Sequence, residues 1–457
     1  MITSALGVLL LAAAGLPLGF ALTRSWPLAL VFSPLTGAAV AAAGVLLMTW
    51  CTGPLLLWVA PVFLFTVWLA WRLRRLAPLA HGRWGDALLL FVPLIPPYLM
   101  LAQEPMGWDA HMIWWMHAGY FAEGGEFTRF ATGNLSIGFG HQDYPPMSSA
   151  AVALVWKALG TRDYYPASIV TGVVTMATGA AVVYAVRTVT AKAPALVSWP
   201  AAIAVGLSAF SPLWIVPTAG FSDAMCASAF AAGAVLLLFG SDPFSRRTLP
   251  LTLLLLCAAG LMKNEGQSMV IALALVGSVK YRRNIRHLGW VWLPVAVSGV
   301  WSVTVRLLGA QTDVLTGGRF GKLLHGDPDT TGRFDTVFST MYHRVDQVLV
   351  FALAVVVLGL LFLRRRRREF GLAHDLWLWA VVALYWGALT FIYMITPNDL
   401  KWHLGTSVDR VVICAVVLAC ASAACWAAVA WYQPAATDPP AVDPSTADNH
   451  AASGSQR

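Results

Sequence analysis

The stretch LALVFSPLTGAAVAAAGVLLMTW, residues 28–50, contains no charged side chain. A helix needs about 20 apolar residues to cross the roughly 30 Å of hydrocarbon in a lipid bilayer. Similar apolar runs recur through most of the chain. They predict an all-α, polytopic transmembrane bundle of about 13 spans, near residues 3–22, 28–50, 54–71, 86–102, 166–188, 196–216, 222–240, 248–262, 267–279, 289–309, 346–363, 374–396 and 409–431.

The overall composition points to the same class of protein. Of the 457 residues, 58% are hydrophobic and 11% are charged, and the mean hydropathy is +0.68. A soluble domain carries roughly 25% charged residues. The composition therefore excludes an ordinary soluble enzyme and a disordered chain. The six cysteines show no CxxC spacing, so they indicate neither a zinc site nor a disulfide framework.

The basic residues lie in short loops between the apolar runs, and they give the chain a net charge of +8. Such loops face the cytoplasm, so we expect a multi-pass protein of the cell membrane and no binding of nucleic acid. We divide the chain into N-terminal helices (1–85), a membrane module (86–432) and a disordered cytoplasmic tail (433–457). The orienting groups are Arg72, Arg74, Arg75 and Arg83; Arg246 and Arg247; Lys280, Arg282, Arg283 and Arg286; and Arg364 to Arg368.

This orientation places the long segment 103–165 on the outer, extracytoplasmic side. It contains two helix-like stretches, 109–122 and 146–160, and neither can cross the membrane alone because both flanking spans end at the outer face. We expect both helices to lie along the membrane interface, where tryptophan is favoured. The tryptophans concerned are Trp108, Trp114, Trp115 and Trp156.

Polar residues from distant parts of the chain are predicted to meet at the outer face. Each one alone is explained as well by helix capping or by a side chain that reaches the interface. A charge within the apolar region costs about 2.5–3.5 kcal/mol on insertion scales, so several at one face indicate a water-filled cavity that opens outward. The candidate residues are Asp109, His141, Asp143, Asp223, Lys263, Glu265 and Arg410.

Acids and bases in one cavity suit a phosphate-linked substrate. Lys263 and Arg410 are candidates to bind a phosphate or pyrophosphate, and Asp109 is a candidate general base for an attacking hydroxyl. His141, Asp143, Asp223 and Glu265 are assigned to substrate binding. No cofactor is predicted. A divalent metal stays an alternative, held by Asp109 with Asp143 or His141.

Several of these motifs resemble the GT-C superfamily of polytopic glycosyltransferases, in particular bacterial relatives of the protein O-mannosyltransferases and of the lipid A aminoarabinose transferase. The matching stretches are Gly107-Trp108-Asp109-Ala110, His141-Gln142-Asp143-Tyr144-Pro145, Gly220 to Asp223, Lys263-Asn264-Glu265-Gly266 and, more weakly, Thr406 to Arg410. In that family an acidic residue in the first outer loop is the presumed base, a position that Asp109 matches. The sequence departs from the family in three ways. Three spans precede the matching helix at 86–102, a large soluble C-terminal domain is lacking, and the second acid that the family motif often has near the first is represented only by Glu104.

The resemblance implies inverting transfer of a sugar from a polyprenyl-phosphate donor to a lipid, glycan or protein acceptor hydroxyl, outside the cytoplasmic membrane. Two other classes remain open. A transporter or lipid flippase also needs many spans and buried charge, although its usual internal repeat is not visible in this sequence. A non-catalytic scaffold of the cell envelope is the third.

Overall fold

A computed structural model describes residues 2–101, 107–134, 140–210, 220–310, 319–363 and 375–431, and within these ranges the protein is helical with no β-strand. The predicted tail at 433–457 and the arginines 364–368 lie outside the described residues. The α-helices, numbered α1 to α20, are Ile2–Thr23, Trp26–Cys51, Leu55–Leu73, Trp84–Phe91, Ile95–Leu101, Met116–Glu123, Gly125–Gly133, Met147–Leu159, Tyr164–Val189, Ala195–Ser208, Asp223–Phe239, Leu249–Met262, Asn264–Lys280, Ile285–Leu307, Arg319–Leu324, Pro328–Thr331, Arg333–Phe362, Asp375–Ile395, Leu400–Val411 and Ile413–Ala430.

Eight helical segments of the described chain are long and apolar enough to cross a membrane. A helix occupies each of the 13 predicted positions, but the others are shorter. For example, α12 has 14 residues, which reach roughly 21 Å at 1.5 Å per residue. The eight are Ile2–Thr23, Trp26–Cys51, Leu55–Leu73, Tyr164–Val189, Ile285–Leu307, Pro328–Phe362, Asp375–Ile395 and Leu400–Ala430.

The run predicted as one span at 86–102 is divided. It forms α4, a 3-10 turn at Val92–Leu94 and α5. Pro93, Pro96 and Pro97 explain the division, because proline lacks the N–H that continues a helical ladder and clashes with the preceding turn.

Small residues set the packing of the N-terminal helices. A Cβ atom added at Gly15 of α1 would lie 2.0 Å from the carbonyl oxygen of Ser33, and one added at Gly37 of α2 would lie 2.2 Å from that of Leu11. Thr36 also donates a hydrogen bond of 2.8 Å to the carbonyl of Gly15. This close approach of backbones is typical of helix pairs in membranes, where packing replaces the hydrophobic drive between helices.

Burial divides the helices into a central and a peripheral set. In the most apolar 18-residue stretch of α9, 89% of the residues are buried, and in that of the segment Leu400–Ala430, 83% are buried. The same measure is 17% for α3 and 22% for the segment Pro328–Phe362. A helix that is apolar and exposed to this degree fits contact with lipid chains, so the peripheral helices are those expected at the lipid boundary.

The stretch 103–165 departs from the sequence-based expectation. A π-helical turn at Ala110–Trp115 leads into α6, and α8 covers the second predicted helix, but α7 was not predicted. Trp114, Trp115 and Trp156 are only 3%, 1% and 3% exposed, so their placement at the interface was wrong; Trp108 is 55% exposed. The reason is that α8 packs among α2, α6 and α9 in the centre of the protein.

The charged loops that the structure describes lie at the opposite end of the bundle from the candidate site. Lys263, at the start of α13, contacts Asp223 at the start of α11. Lys280, at the end of α13, donates to the carbonyl of Leu238 near the end of α11, at 2.6 Å. Arg24 joins the same basic end through a 3.1 Å hydrogen bond to the carbonyl of Arg247. The separation of the two ends agrees with the charge pattern, and which end faces the cytoplasm stays a prediction.

Candidate active site

Five of the predicted site residues form one continuous network of opposite charges. Lys263 Nζ lies 2.6 Å from Asp223 Oδ1 and 2.9 Å from Glu265 Oε1. Arg410 Nη1 lies 3.9 Å from Asp223 Oδ2 and also forms an ion pair with Asp109. The order along the network is therefore Asp109, Arg410, Asp223, Lys263 and Glu265.

Local backbone structure brings the members of the network together. Lys263 occupies the break between α12 and α13 in an extended conformation, with φ −157° and ψ 155°. Asp223 and Glu265 lie in the first turns of α11 and α13. Carboxylates are stabilised at helix N-termini, where backbone N–H groups are unpaired and the helix dipole is positive.

The network is buried most deeply at its centre. The side chains of Asp223, Lys263 and Arg410 are 2%, 6% and 10% exposed, whereas Asp109 at one end is 24% exposed. Burial on its own lowers the pKa of Lys263, but the charges of Asp223 and Glu265 raise it well above its usual value. Lys263 is therefore a cation at neutral pH, as its two carboxylate partners require.

Some hydrogen-bonding capacity in the network is unused. Asp223 Oδ2, Glu265 Oε2 and Arg410 Nε are buried and have no hydrogen-bond partner within the described chain. Buried polar atoms of this kind are uncommon and usually mark a place where water or a ligand binds. The network thus has both donor and acceptor atoms available to a bound molecule.

A second polar group lies on the loop before α8. Asp143 Oδ2 accepts a hydrogen bond of 2.7 Å from Asn264 Nδ2, which places this loop next to the ion-pair network. Trp301 Nε1 donates to the backbone carbonyls of Asp143 and Tyr144 at 3.2 and 3.0 Å. The His141 ring stacks on Tyr144 with centroids 4.7 Å apart. The loop is therefore held by Asn264 of α13 and by Trp301 of α14.

A cavity of about 460 Å³ adjoins both polar groups. Of the predicted site residues, His141, Asp143 and Glu265 line it, while Asp109, Asp223, Lys263 and Arg410 do not. The rest of the lining comes mainly from α13, α14, α18 and α19. It comprises Tyr144, Asn264, Gln267, Ser268, Ser302, Val305, Arg306, Leu389, Ile392, Tyr393, Thr396, Pro397, Asn398, His403, Ser407 and Val411.

Arg306 lines the cavity but is not among the candidates predicted from the sequence. Arg306 lies in the last turn of α14, inside a run that was interpreted as a span, yet its side chain lines the cavity. No ion pair joins it to a carboxylate in the described part of the chain. A basic residue at the end of a predicted span on the outer side was the available signal, since the orienting charges are otherwise cytoplasmic.

The structure brings six of the seven candidates into contact directly or through Asn264, and His141 joins them through the cavity. The two proposed phosphate contacts, Lys263 and Arg410, are both paired with carboxylates. The proposed base, Asp109, is paired with Arg410. Among the described residues, no group of three or more His, Cys, Asp or Glu side chains is arranged to hold a metal ion.

The chain was compared with protein-family models, with curated proteins and with solved structures, and nothing matched in any of the three comparisons.

Proposed function

We propose that the protein is a membrane glycosyltransferase of the GT-C type, which moves a sugar from a polyprenyl-phosphate donor to an acceptor hydroxyl at the extracytoplasmic face. The single observation that carries this proposal is the junction of the ion-pair network with the cavity at Glu265, within a bundle of apolar helices. A lipid-linked sugar needs an apolar path for its tail and polar groups for its head. The resemblance of the motifs supports the choice of donor.

The cavity supplies partners for each part of the donor head group. Asp143, Glu265 and Gln267 offer acceptors and donors for sugar hydroxyls, in the manner of most sugar sites. Arg306 is the cation best placed to bind the phosphate, because Lys263 and Arg410 already have carboxylate partners. Lys263 then acts mainly by keeping Asp223 ionised and by holding Asp223 and Glu265 in place.

The reaction is a displacement at the anomeric carbon of the sugar. The acceptor oxygen forms a bond to this carbon, the bond to the phosphate oxygen breaks, and its electron pair leaves with polyprenyl phosphate. Asp109 takes the proton from the acceptor hydroxyl. Because attack and departure occur on opposite faces, the anomeric configuration inverts.

The ion pair between Asp109 and Arg410 determines when Asp109 can act as the base. The pair has to open before the Asp109 carboxylate can reach the proton of the acceptor hydroxyl. Arg410 Nε is buried without a partner, so it can donate a further hydrogen bond. The acceptor hydroxyl, which approaches the sugar from the face opposite the phosphate on Arg306, accepts a hydrogen bond from Arg410 and releases Asp109 as a base. Transfer therefore begins only with the acceptor in place.

The proposal is tested by removing the gene from the source organism and identifying lipid-linked sugars by mass spectrometry. We expect a polyprenyl-phosphate sugar to accumulate, and the wild-type gene to reverse this. Lys401→Met should also reverse it, because Lys401 is exposed and outside the network. Asp109→Asn should not. An unchanged lipid profile in the deletion strain would contradict the proposal, and substrate accumulation inside vesicles that contain the purified protein would favour a transporter.

A further inference from the structure

A cavity of about 410 Å³ lies at the basic end of the bundle, away from the candidate active site. Its lining comes from the end of α13, the turn between α13 and α14, and the start of α18. Three cations contribute to the lining, and no Asp or Glu side chain among the described residues does so. The side chains that matter here are Val279, Lys280, Tyr281, Arg282, Arg283 and Trp377.

The turn between α13 and α14 is held in place by contacts with α11 and with the loop that follows it. Tyr281 Oη donates a hydrogen bond of 2.7 Å to the carbonyl of Leu237 near the end of α11. The Tyr281 ring also packs edge-on against Phe244, with centroids 4.8 Å apart. At the start of α14, the His287 ring stacks flat on Phe244, with centroids 3.8 Å apart. The cations of the turn are therefore presented on a fixed backbone.

The three cations have binding capacity left for an anion. Lys280 Nζ donates to the carbonyl of Leu238 at 2.6 Å, and an ammonium group has two further N–H donors. Arg282 and Arg283 are exposed, and no ion pair joins either of them to a carboxylate in the described part of the chain. Like charges around one cavity repel one another, so an anion among them is bound favourably.

The acidic residues of the neighbouring segments are occupied elsewhere. Asp375, in the first turn of α18, is 2% exposed and does not line the cavity. Its carboxylate accepts hydrogen bonds from Ser422 Oγ at 2.7 Å and from Trp426 Nε1 at 2.9 Å. Asp242, on the loop after α11, lines a different cavity. The cavity at the turn therefore has a positive lining that no carboxylate of the described residues neutralises from within.

An exposed apolar stripe of α13 leads along the bundle to this cavity. Ile271, Leu275 and Val279 follow one another at four-residue intervals, which places them on one face of the helix. They are 42%, 47% and 53% exposed, and Val279 also lines the cavity. The stripe is roughly 12 Å long at 1.5 Å per residue. An apolar surface that ends at a positive cavity matches a molecule with a hydrocarbon chain and an anionic head.

We propose that this surface binds an anionic glycerophospholipid, with its phosphate among Lys280, Arg282 and Arg283 and an acyl chain along the stripe of α13. Guanidinium groups match phosphate geometry through paired N–H donors, and basic pockets beside membrane helices recognise anionic lipid head groups. Trp377 at the edge of the cavity suits the level of the head groups. The site is separate from the active site and does not depend on the proposed transferase activity.

The test uses the full chain purified in detergent and stripped of lipid, with binding measured by native mass spectrometry. The probes are phosphatidylglycerol, zwitterionic phosphatidylethanolamine with the same acyl chains, and glycerol 3-phosphate, which has the phosphate without the chains. We expect phosphatidylglycerol to bind about tenfold more tightly than either of the others. Equal binding of phosphatidylethanolamine would show that the charge is not recognised, and equal binding of glycerol 3-phosphate would show a site for soluble phosphates. Either result, or no binding of any probe, would overturn the proposal.

Charge variants assign the binding to the cavity. The double change Arg282→Gln with Arg283→Gln removes two of the three cations and should weaken binding of phosphatidylglycerol by about tenfold. The matched double change Arg72→Gln with Arg75→Gln, at two exposed arginines near the end of α3, should leave binding unchanged. All four side chains are exposed, so the variants should fold as the wild type does. An equal loss in both double variants would indicate a general attraction to the charged end and would contradict a defined site.

A change in the stripe tests the position of the acyl chain. Ile271→Ala with Leu275→Ala removes exposed apolar surface and should weaken binding of phosphatidylglycerol several-fold. Leu57→Ala with Leu64→Ala, at leucines of α3 that are 58% and 64% exposed, is the matched control and should bind as the wild type does. Wild-type affinity in the stripe variant would contradict the proposal, because the lipid would then be held without contact to α13.

Discussion

Lys263 and Asp223 form a buried ion pair, with Nζ and Oδ1 2.6 Å apart, that joins the break between α12 and α13 to the first turn of α11. Glu265 binds the same ammonium group at 2.9 Å. Two carboxylates, Asp223 in the buried centre and Glu265 at the edge of the cavity, therefore share one lysine. This dependence makes Lys263 the residue whose loss should disturb the site most.

Replacing Lys263 with methionine should destabilise the protein by about 3–5 kcal/mol, the usual cost of leaving a buried charge without its partner. The double change Lys263→Met with Asp223→Asn should restore part of the loss, because one of the two stranded charges is then removed. Equilibrium unfolding in detergent micelles measures both effects. Lys401→Met, at an exposed lysine, serves as the control and should change stability by less than about 0.5 kcal/mol. Equal stability of the Lys263→Met and control variants would show that the pair does not hold the helices.

Adding one methyl group at Gly15 should separate α1 from α2. The Cβ of Gly15→Ala would lie 2.0 Å from a backbone oxygen, which cannot move without shifting the helix. We expect a loss of about 2 kcal/mol or more. Gly289→Ala is the matched control, since nothing lies within 4 Å of the added atom. If the two variants unfold at the same temperature, α1 and α2 do not approach each other as closely at Gly15 as the structure indicates.

Acid should destabilise the protein through His117. Burial lowers the pKa of His117 to about 4, even though a hydrogen bond to the backbone of Gly140 acts in the opposite direction. In the unfolded chain this histidine has a pKa near 6.5, so between pH ~6.5 and 4 it is protonated when the protein is unfolded and neutral when it is folded. The free energy of unfolding is therefore unaffected by this group above pH ~6.5 and decreases as the pH drops toward 4. At pH 4 the free energy of unfolding should be lower by roughly 3 kcal/mol, because each unit of pKa difference corresponds to about 1.36 kcal/mol.

The variant His117→Phe isolates this effect. It removes the titrating group, so its stability should decline less between pH 6.5 and 4 than that of the wild type, whereas His325→Ala, at an exposed histidine, should follow the wild type. If the free energy of unfolding depends on pH in the same way in the wild type and in His117→Phe, a neutral buried His117 is ruled out.

The indole of Trp301 should matter for its N–H group and not only for its size. Trp301→Phe leaves the carbonyls of Asp143 and Tyr144 without their shared donor, which costs about 1–3 kcal/mol when the carbonyls stay buried. The loop that carries His141 should then bind the donor less well, so KM for the donor should rise more than kcat falls. Trp292→Phe is the control, because its indole bonds to Ser278 at an exposed position where water replaces it. An unchanged KM in Trp301→Phe would separate this loop from donor binding.

The sequence was sufficient to predict that several of these charged residues lie close together, because charge is costly in an apolar helix and must be collected at an end. Asp223, Lys263 and Glu265 follow directly from the alternation of spans. The pairing of Asp109 with Arg410, 301 positions further along the chain, could not be predicted, since spacing gives no distances between helices that are far apart in sequence.

The burial of the tryptophans and the number of long helices could not be predicted from the sequence either, again for physical reasons. Tryptophan is favoured both at a membrane interface and in a protein core, so the burial of Trp114 and Trp156 could not be decided from composition. The number of apolar runs also exceeded the number of long helices, because a run of 14 to 17 apolar residues fits a short buried helix as well as a membrane span. The division of the span predicted at 86–102 was missed, although the three prolines in residues 93–97 were a visible signal for it.

The most direct test of the account is sugar transfer by the purified protein in lipid vesicles that contain a polyprenyl-phosphate donor with a labelled sugar. The wild type and Lys401→Met should transfer label to an acceptor hydroxyl with inverted configuration, and Asp109→Asn should lower kcat by about 100-fold or more, as expected for loss of a general base. Equal transfer by the wild type and Asp109→Asn would contradict the role of Asp109. An absence of transfer by the wild type with every donor and acceptor supplied would contradict the assignment as a glycosyltransferase.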